Sequence, residues 1–383
     1  MTAQHPLTLG VVATSLKPHE RRVPLHPGHL ERLPDELRPH VLLETGYGER
    51  FGIADQQLRP LVGGLLDRAE LFAAADVVLL PKPQHDDLRQ MRDGQVLWGW
   101  PHLVQDETMT QLALDRSLTT IAFEAMNHWG GDGTFGLHVF HKNNEIAGYS
   151  SVLHALQLCG STGDYGRRLT AVVIGFGATA RGAVTALRAH GVHDVRVLTN
   201  RAAASVAAPI HATKISQFDH DGPYVSEVIT DEGRVPLAPF LAESDIVVNC
   251  TLQDPNRPLL YLRTDDLAAF RAGSLIVDVS CDEGMGFEWA RPTGFADPMF
   301  TVGGNINYYA VDHSPSYLWN SASWEISEAL LGFLPTVMAG PAAWSQDETI
   351  SRAIEISGGE VRNPAILQFQ HRLAEKPYAV QPR

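Results

Sequence analysis

The sequence has few of the features that would place a protein outside the cell, in a membrane or on nucleic acid. Its three cysteines, Cys159, Cys250 and Cys281, are too few and too scattered for a disulfide framework. No apolar run approaches the roughly 18 residues of a membrane-spanning helix, and the opening MTAQHP does not begin a signal peptide. A net charge of −14 disfavours nucleic acid and anionic membranes as partners. We therefore expect a cytoplasmic protein without such partners.

A recognisable set of metal ligands is also missing, although the chain has 17 histidines. His138 and His141 are three residues apart, but no third ligand and no H-E-x-x-H frame accompanies them. We predict no metal. The hydrophobic content of 44% is ordinary for a globular enzyme, and 383 residues are enough for two domains.

The most informative segment that is present, residues 172–180 (VVIGFGATA), predicts a dinucleotide site. A β-branched apolar run leads into a G-x-G-x-x-A pattern, and helical spacing follows up to Gly191. Gly175 permits the tight turn, Gly177 lets the backbone approach a pyrophosphate, and Ala180 lets the helix pack on the strand. The cofactor-binding residues that this segment predicts are Gly175, Gly177, Ala178, Thr179 and Ala180.

The next predicted strand, residues 194–201, indicates which dinucleotide binds. An NAD enzyme has a carboxylate near its end to bind the ribose 2′-hydroxyl, whereas this chain has Thr199, Asn200 and Arg201. A guanidinium suits a 2′-phosphate. We therefore predict that Asn200 and Arg201 bind NADP(H), together with Thr251 after the strand predicted over 245–250. The alternative is that Arg201 is a solvated charge at the strand end.

Strand-like and helix-like segments alternate along both halves of the chain, which predicts parallel sheets. The predicted fold is α/β, with two Rossmann-like, doubly wound parallel-sheet domains and a cleft between them. A discontinuous substrate domain comprises residues 1–140 plus 305–383, and the NADP(H)-binding domain comprises residues 141–304. From about Asn305 the apolar spacing is helical, so these last helices should pack on the first domain. The strands predicted in that domain are residues 7–13, 41–44, 77–80, 96–98 and 119–123.

Polar residues follow four of these predicted strands. In open α/β sheets ligands bind beyond the carboxyl ends of the strands, so residues at that edge are candidates for chemistry. A single such residue is more often an ordinary surface charge. Four strand ends that bring polar residues to one edge argue against a coincidence. The candidates are Lys17 and Arg22 after the first strand, then Lys82, His102 and Glu124.

Residues 17–27, KPHERRVPLHP, resemble the K-x-x-E-x-R-x-x-L-T-P signature of the alanine dehydrogenase, transhydrogenase and saccharopine dehydrogenase superfamily, with His26 in place of Thr. Residues 311–316, VDHSPS, resemble a segment of the lysine-forming saccharopine dehydrogenases. Residues 98–105 and 142–149 are most similar to those of the carboxyethylornithine synthases. The resemblance spans nearly the whole chain, and it implies that Lys82 and His102 are the catalytic pair. It also implies an NADP-dependent opine-type reaction, in which pyruvate is joined reductively to the side-chain amine of ornithine or lysine.

The candidate residues suit that chemistry. A 2-oxo acid needs a cation for its carboxylate, which Arg22 and Lys17 supply. Loss of water from the carbinolamine needs a group that exchanges protons near neutral pH, and His102 is the obvious one. Lys82, crowded by Arg22 and partly desolvated, would have a lowered pKa and deprotonate the amine.

Two acidic residues complete the predicted site. Glu124 and Asp312 would bind the cationic end of the second amino acid, or orient the imidazole and the lysine amine. Structural salt bridges are the alternative role for both carboxylates.

Three other functions stay open. An alanine dehydrogenase would use Lys82 and His102 with ammonia as the amine. Arg201 and the DHSP segment beginning at Asp312 disfavour this function. A saccharopine dehydrogenase would take 2-oxoglutarate and lysine, with Arg21 as a second cation. The third alternative is not an enzyme but a non-catalytic protein that binds NADP(H). The expected partners are small-molecule substrates, and a homo-oligomer is compatible with the sequence.

Overall fold

The computed structural model describes residues 5–200, 213–220, 222, 226–253 and 258–381. It divides into two units, Met1–Phe140 with Trp319–Arg383, and His141–Leu318. The sequence predicted the second boundary at residue 305, whereas the structure places it after Leu318. The difference arises because residues 306–309, expected to begin the helical region, form a strand of the second sheet.

The strands that the structure describes are numbered in chain order. They are β1 (Leu9–Val11), β2 (Val41–Glu44), β3 (Gly64–Leu66), β4 (Val77–Leu79), β5 (Val96–Gly99), β6 (Thr119–Ala122), β7 (Asn127–Trp129), β8 (Phe135–His138), β9 (Thr170–Ile174), β10 (Asp194–Thr199), β11 (Lys214–His220), β12 (Ser226–Thr230), β13 (Gly233–Pro236), β14 (Ile246–Asn249), β15 (Leu260–Leu262), β16 (Leu275–Asp278), β17 (Gly286–Phe287), β18 (Met299–Val302), β19 (Ile306–Tyr309), β20 (Ile354–Ser357) and β21 (Glu360–Val361).

The α-helices are numbered in the same way. They are α1 (Asp55–Leu58), α2 (Arg68–Ala74), α3 (His85–Gln90), α4 (Glu107–Asp115), α5 (His141–Leu158), α6 (Ala178–Ala189), α7 (Leu237–Ala242), α8 (Trp319–Leu331), α9 (Leu334–Ala339), α10 (Pro341–Trp344), α11 (Glu348–Ala353) and α12 (Pro364–Phe369). None of these is long and apolar enough to cross a lipid bilayer.

The first unit is built on a sheet whose parallel strands lie in the order β3-β2-β1-β4-β5-β6. This is the 3-2-1-4-5-6 order of a doubly wound fold. Helices cover both faces, so a strand such as β4, VVL, is buried throughout. The last helices pack on this unit as expected, with Ile326 and Leu330 of α8 in its core. The hairpin β20–β21, which the sequence did not predict, extends the sheet antiparallel to β6.

The second unit repeats the same order. Its parallel strands lie as β11-β10-β9-β14-β16-β19, and antiparallel strands extend both edges, β12 and β13 beyond β11 and β18 beyond β19. The helix α6 follows β9 directly, as the glycine motif predicted. The predicted fold class of two Rossmann-like parallel-sheet units is therefore confirmed.

The end of the second strand in the first sheet is engaged in contacts within the protein. In the first unit Glu44, at the end of β2, accepts the backbone N–H groups of Ala13 and Thr14 at 2.6 and 3.1 Å. Arg68 pairs with the same carboxylate at 3.2 Å. The position that binds a ribose in a dinucleotide unit is thus occupied by the protein's own turn in the first unit.

Candidate active site

The structure brings Lys82, His102 and Glu124 together in the first unit. Each follows one of three neighbouring parallel strands, β4, β5 and β6, whose carboxyl ends meet at one edge. The Nζ of Lys82 lies 2.8 Å from the Nε2 of His102. The Oε1 of Glu124 accepts the backbone N–H of His102 at 2.7 Å and lies 3.8 Å from its Nδ1. An amine, an imidazole and a carboxyl group are therefore within reach of one another for proton transfer.

The backbone of His102 has a conformation that non-glycine residues seldom adopt. Its φ is +50°, in the left-handed region. Its N–H donates to Glu124, and its carbonyl accepts the N–H groups of Gln105 and Asp106 at 3.1 and 3.0 Å. Residues in such conformations are kept there by surrounding contacts and cluster at active sites. The backbone geometry is a second indication, separate from the pairing with Lys82, that His102 is functional.

The charge state of Glu124 is set by its surroundings. Burial raises the pKa of the Glu124 carboxyl, and the negative charge of Glu355 raises it further. Its hydrogen bond to His102 and the positive charge of Lys82 lower the pKa, but by less. Glu124 can therefore hold a proton at a higher pH than an ordinary carboxyl group does.

Arg22 has a protein carboxylate as its partner. The Nε and Nη2 of Arg22 donate to the two oxygens of Glu20 at 2.8 and 2.6 Å, and both side chains are almost fully buried. The guanidinium carbon also lies 5.4 Å from the ring centroid of Trp100. The sequence did not predict this pairing. The two residues are close in sequence, but only the conformation of the loop brings their side chains into contact. Carboxylate binding by Arg22 stays a prediction.

The loop that carries Lys17 is tied to the Lys82 segment. The Oγ of Ser15 donates to the Lys82 carbonyl at 2.7 Å and accepts the Lys17 N–H at 3.1 Å. The loop after β1 and the loop after β4 are therefore held at one place in the first unit. The role of the Lys17 ammonium stays a prediction.

The dinucleotide motif in the second unit has the geometry that its chemistry requires. Gly175 has φ +109°, and a Cβ there would lie 3.0 Å from the carbonyl oxygen of Cys250. A Cβ on Gly177 would meet no heavy atom of the described residues within 4 Å, so its surface is open to a ligand. The helix α6 begins at Ala178, and Ala180 is fully buried against the strand. The turn therefore fits a pyrophosphate at a helix N-terminus.

Thr251 belongs to a buried polar network at the ends of three strands. Its N–H and hydroxyl donate to the Oδ1 of Asn249 at 3.2 and 2.7 Å, and the Asn249 Nδ2 donates to Asp278 at 2.9 Å. The hydroxyl of Tyr308 donates to the other oxygen of Asp278 at 2.6 Å. Burial raises the pKa of Asp278 to about 6 despite these bonds. The network fixes the loop after β14. The only indication of this network in the sequence was the polar residue near the end of each strand.

Three predicted residues remain to be placed. Asn200 is exposed directly after β10, whereas Arg201 lies outside the residues that the structure describes. Asp312 lies in the second unit, not in the substrate domain expected for residues 305–383, and its Oδ1 is 2.6 Å from the Nδ1 of His313.

Within the described ranges no group of three or more His, Cys, Asp or Glu side chains could hold a metal ion. His138 uses both ring nitrogens for backbone hydrogen bonds. Its Nε2 donates to the Glu124 carbonyl at 3.3 Å, and its Nδ1 accepts the Phe140 N–H at 3.1 Å. These bonds give His138 a structural role next to the site.

Several known proteins are similar to the chain over most of its length. The N(5)-(carboxyethyl)ornithine synthase of Clostridium botulinum is 27% identical over 325 residues, which cover 82% of this chain and 89% of that protein. The alanine dehydrogenase of Halomonas elongata is 26% identical over 376 residues, which cover 93% and 95%. The solved structure of an L-alanine dehydrogenase superposes with a TM-score of 0.75 at 20% identity, covering 95% of this chain and 99% of that one. A transhydrogenase from Sinorhizobium meliloti has a TM-score of 0.69 at 22% identity, covering 94% and 99%.

Two family descriptions match the sequence and cover most of it. Residues 10–146 match the alanine dehydrogenase/PNT N-terminal domain, and residues 163–364 match the alanine dehydrogenase/PNT C-terminal domain. The family binds a nicotinamide dinucleotide, which agrees with the turn at Gly175 and Gly177. The chain therefore belongs to the alanine dehydrogenase/PNT family and is an oxidoreductase of the amino-acid dehydrogenase type.

Proposed function

We propose that this protein is an NADPH-dependent oxidoreductase that joins a 2-oxo acid, pyruvate in the first place, to the side-chain amine of ornithine or lysine. The observation that carries the proposal is the contact of Lys82 with His102 at 2.8 Å, with Glu124 held against the same histidine. Condensation to an imine needs two proton transfers near one carbon atom, and this arrangement supplies a base and an acid for them. The similarity to an N(5)-(carboxyethyl)ornithine synthase supports the choice of substrates.

The protons follow a defined course in this proposal. Lys82, as the neutral amine, takes a proton from the incoming ammonium group, and the amine then attacks the ketone carbon of the oxo acid. The attack breaks the carbonyl π bond, and a proton moves from the nitrogen to the oxygen to give the carbinolamine. His102, as the imidazolium, donates a proton to the carbinolamine hydroxyl, which leaves as water and produces the protonated imine. The nicotinamide, when bound, supplies the hydride that reduces the imine to a secondary amine.

The remaining side chains bind and orient the two substrates. Arg22 and Lys17 would hold the carboxylate of the oxo acid, with Glu20 fixing the plane of the Arg22 guanidinium through two hydrogen bonds. Asp312 would attract the cationic amino acid, whereas Glu124 would orient His102 by accepting its backbone N–H. In the second unit Gly175, Gly177 and the first residues of α6 would hold the pyrophosphate, and the network at Thr251 would keep the neighbouring loop in place.

Product analysis tests the proposal. Incubation with pyruvate, NADPH and ornithine or lysine should yield a secondary amine whose mass equals that of the two substrates joined, less one oxygen. Mass spectrometry measures this directly, and a reaction without the amino acid is the control. A second candidate, alanine formation from pyruvate and ammonium, is favoured by the similarity to the Halomonas elongata enzyme. Alanine as the sole product, made only when ammonium is added, would refute the proposed reaction.

The cofactor preference is a separate prediction. NADPH should bind at least about tenfold more tightly than NADH, a difference of about 1.4 kcal/mol. The reason is that Arg201 stands where an NAD enzyme has a carboxylate. Fluorescence titration of both nucleotides measures the ratio, and Arg201→Ala should remove most of it. Arg234→Ala, at an exposed arginine on β13 of the same unit, is the matched control. Equal affinity for NADH in the unmutated protein would contradict the prediction.

A further inference from the structure

The segments that carry Lys82 and His102 are joined by a further side-chain contact, between His85 and Asp106. The Nε2 of His85 lies 2.8 Å from the Oδ2 of Asp106 and 3.0 Å from its Oδ1. Because an ionised carboxylate only accepts hydrogen bonds, Nε2 carries the hydrogen. His85 begins α3, shortly after Lys82, and Asp106 precedes α4, shortly after His102. The contact therefore joins the two segments just beyond the candidate catalytic pair.

The pairing of the strands does not by itself fix the distance between the amine and the imidazole. Neighbouring strands β4 and β5 are continued by the hydrogen bond from the Trp100 N–H to the Pro81 carbonyl at 2.9 Å. Lys82 and His102 follow in loops, where the ladder of the sheet has ended. A contact of 2.8 Å between the tips of their side chains needs both loops to keep their places, because a small displacement spoils the alignment for proton transfer.

Asp106 also supports the backbone of His102. Its N–H donates to the His102 carbonyl at 3.0 Å, and its Oδ1 accepts the Met109 N–H at 2.8 Å as the N-cap of α4. The φ of +50° at His102 persists only where such contacts hold it. Asp106 thus ties the start of α4 to the turn at His102, and His85 binds the same carboxylate.

The first turn of α3, which carries His85, is fixed on its other side. The Oδ2 of the buried Asp87 accepts the Gln84 N–H at 2.7 Å, and Arg68 pairs with the Oδ1 of Asp87. Arg68 also donates to the Thr14 carbonyl at 2.8 Å, in the loop after β1. The turn is therefore anchored to the body of the first unit, and the hydrogen bond of His85 extends that anchoring to the neighbouring loop.

We propose that His85 and Asp106 are a positioning pair that holds the loop of His102 against the segment of Lys82. The pair acts through these two residues and is neither the acid nor the base of the reaction. Its effect on turnover rests on the proposed function, whereas its effect on the contact of Lys82 with His102 does not. The side chains of the pair are 41% and 35% exposed, so their contact adds little to folding stability and its loss should be felt at the site.

Two substitutions remove the contact from opposite sides. His85→Phe keeps a planar ring without a donor. Asp106→Ser keeps a good N-cap for α4, but its side chain is too short to reach His85. His85→Gln is the conservative variant, because its amide can donate from near the position of Nε2. Arg89→Gln is the matched control, since it removes another exposed ion pair of α3, with Asp86, that does not involve the His102 loop.

Nuclear magnetic resonance of protein labelled at lysine and histidine measures the positioning without any substrate. A nuclear Overhauser effect between the ε-methylene of Lys82 and the ring of His102 is expected in the unmutated protein, because Nζ and Nε2 are 2.8 Å apart. The signal should be lost in His85→Phe and Asp106→Ser. It should persist in His85→Gln and Arg89→Gln.

Turnover supplies the second measurement. With pyruvate, NADPH and the amino acid, kcat should fall about tenfold in His85→Phe and in Asp106→Ser, while the KM for pyruvate stays unchanged. His85→Gln should recover most of the loss. The double variant of His85→Phe and Asp106→Ser should lose no more than either single variant, because both remove the same contact.

The outcomes separate the positioning role from the proposed function. Loss of the Overhauser signal in a protein that turns over no amine would reject the proposed function and keep the positioning role. Persistence of the signal in His85→Phe and Asp106→Ser would overturn the positioning role, as would additive losses of kcat in the double variant. An equal loss in Arg89→Gln would also overturn it. Should one of the two variants fail to fold, the other decides.

Discussion

Removing the imidazole of His102 or the amine of Lys82 is expected to lower kcat by about 10² to 10⁴ while nicotinamide dinucleotide binding persists. The two groups lie 2.8 Å apart in the first unit, and the proposed condensation requires both. The dinucleotide turn is in the second unit and does not include either residue. The loss should therefore appear in kcat and not in the affinity for the dinucleotide.

The choice of substitution matters for these two residues. Alanine at position 102 would add backbone strain to the loss of the imidazole, because φ is +50°. His102→Asn is preferable, since asparagine tolerates the left-handed region. Lys82→Met keeps the length of the side chain without its charge. His193→Asn, at an exposed histidine before β10, is the matched control. Near-normal turnover in either variant would remove that residue from the mechanism.

Gly175→Ala and Gly177→Ala should separate the folding of the dinucleotide turn from its binding. At Gly177 the φ of −85° accepts alanine, and a Cβ has no neighbour within 4 Å among the described residues. The variant should keep its thermal stability and bind NADPH at least about tenfold less tightly, about 1.4 kcal/mol, because the methyl group blocks the approach of the pyrophosphate. Gly175→Ala should in addition lower the free energy of unfolding by about 1–3 kcal/mol, because alanine is strained at a φ of +109° and its Cβ would contact Cys250.

Calorimetry of unfolding and of NADPH binding measures both effects. Gly332→Ala, between α8 and α9, is the control, because a Cβ there also meets nothing nearby in the described chain. If Gly177→Ala bound NADPH as tightly as the unmutated protein, the assignment of this turn to the pyrophosphate would be wrong.

Much of the fold was predictable because buried parallel strands have a strong local signature. Short apolar runs such as 41–44 and 77–80 are typical of strands in a sheet that is covered on both faces, and β2 and β4 lie there. Helix α4 occupies the predicted residues 107–115, which carry helical apolar spacing. In the second unit the glycine spacing at Gly175 and Gly177 predicted a strand, a turn and a helix, and β9 and α6 confirm them.

The edges of the sheets were less predictable. Residues 306–309, which the sequence predicts to begin a helical region, form strand β19, and the sequence does not predict β20 or β21. These strands are short and lie at or next to a sheet edge, where the pairing depends on which neighbouring strand is available, so their own residues carry little periodic signal. The same limitation moved the domain boundary from residue 305 to Leu318.

The sequence by itself determined the parallel α/β fold class and the strand ends at which Lys82, His102 and Glu124 stand, because apolar periodicity and glycine spacing act over a few residues. Only the tertiary structure decided what these groups contact. The pairing of Arg22 with Glu20 depends on a loop conformation, and the buried position of Glu355 lies at a one-residue bulge between strands far apart in sequence. Hydrogen bonds and burial at that range are consequences of packing, so the charge and the geometry of the site emerge only once the chain is folded.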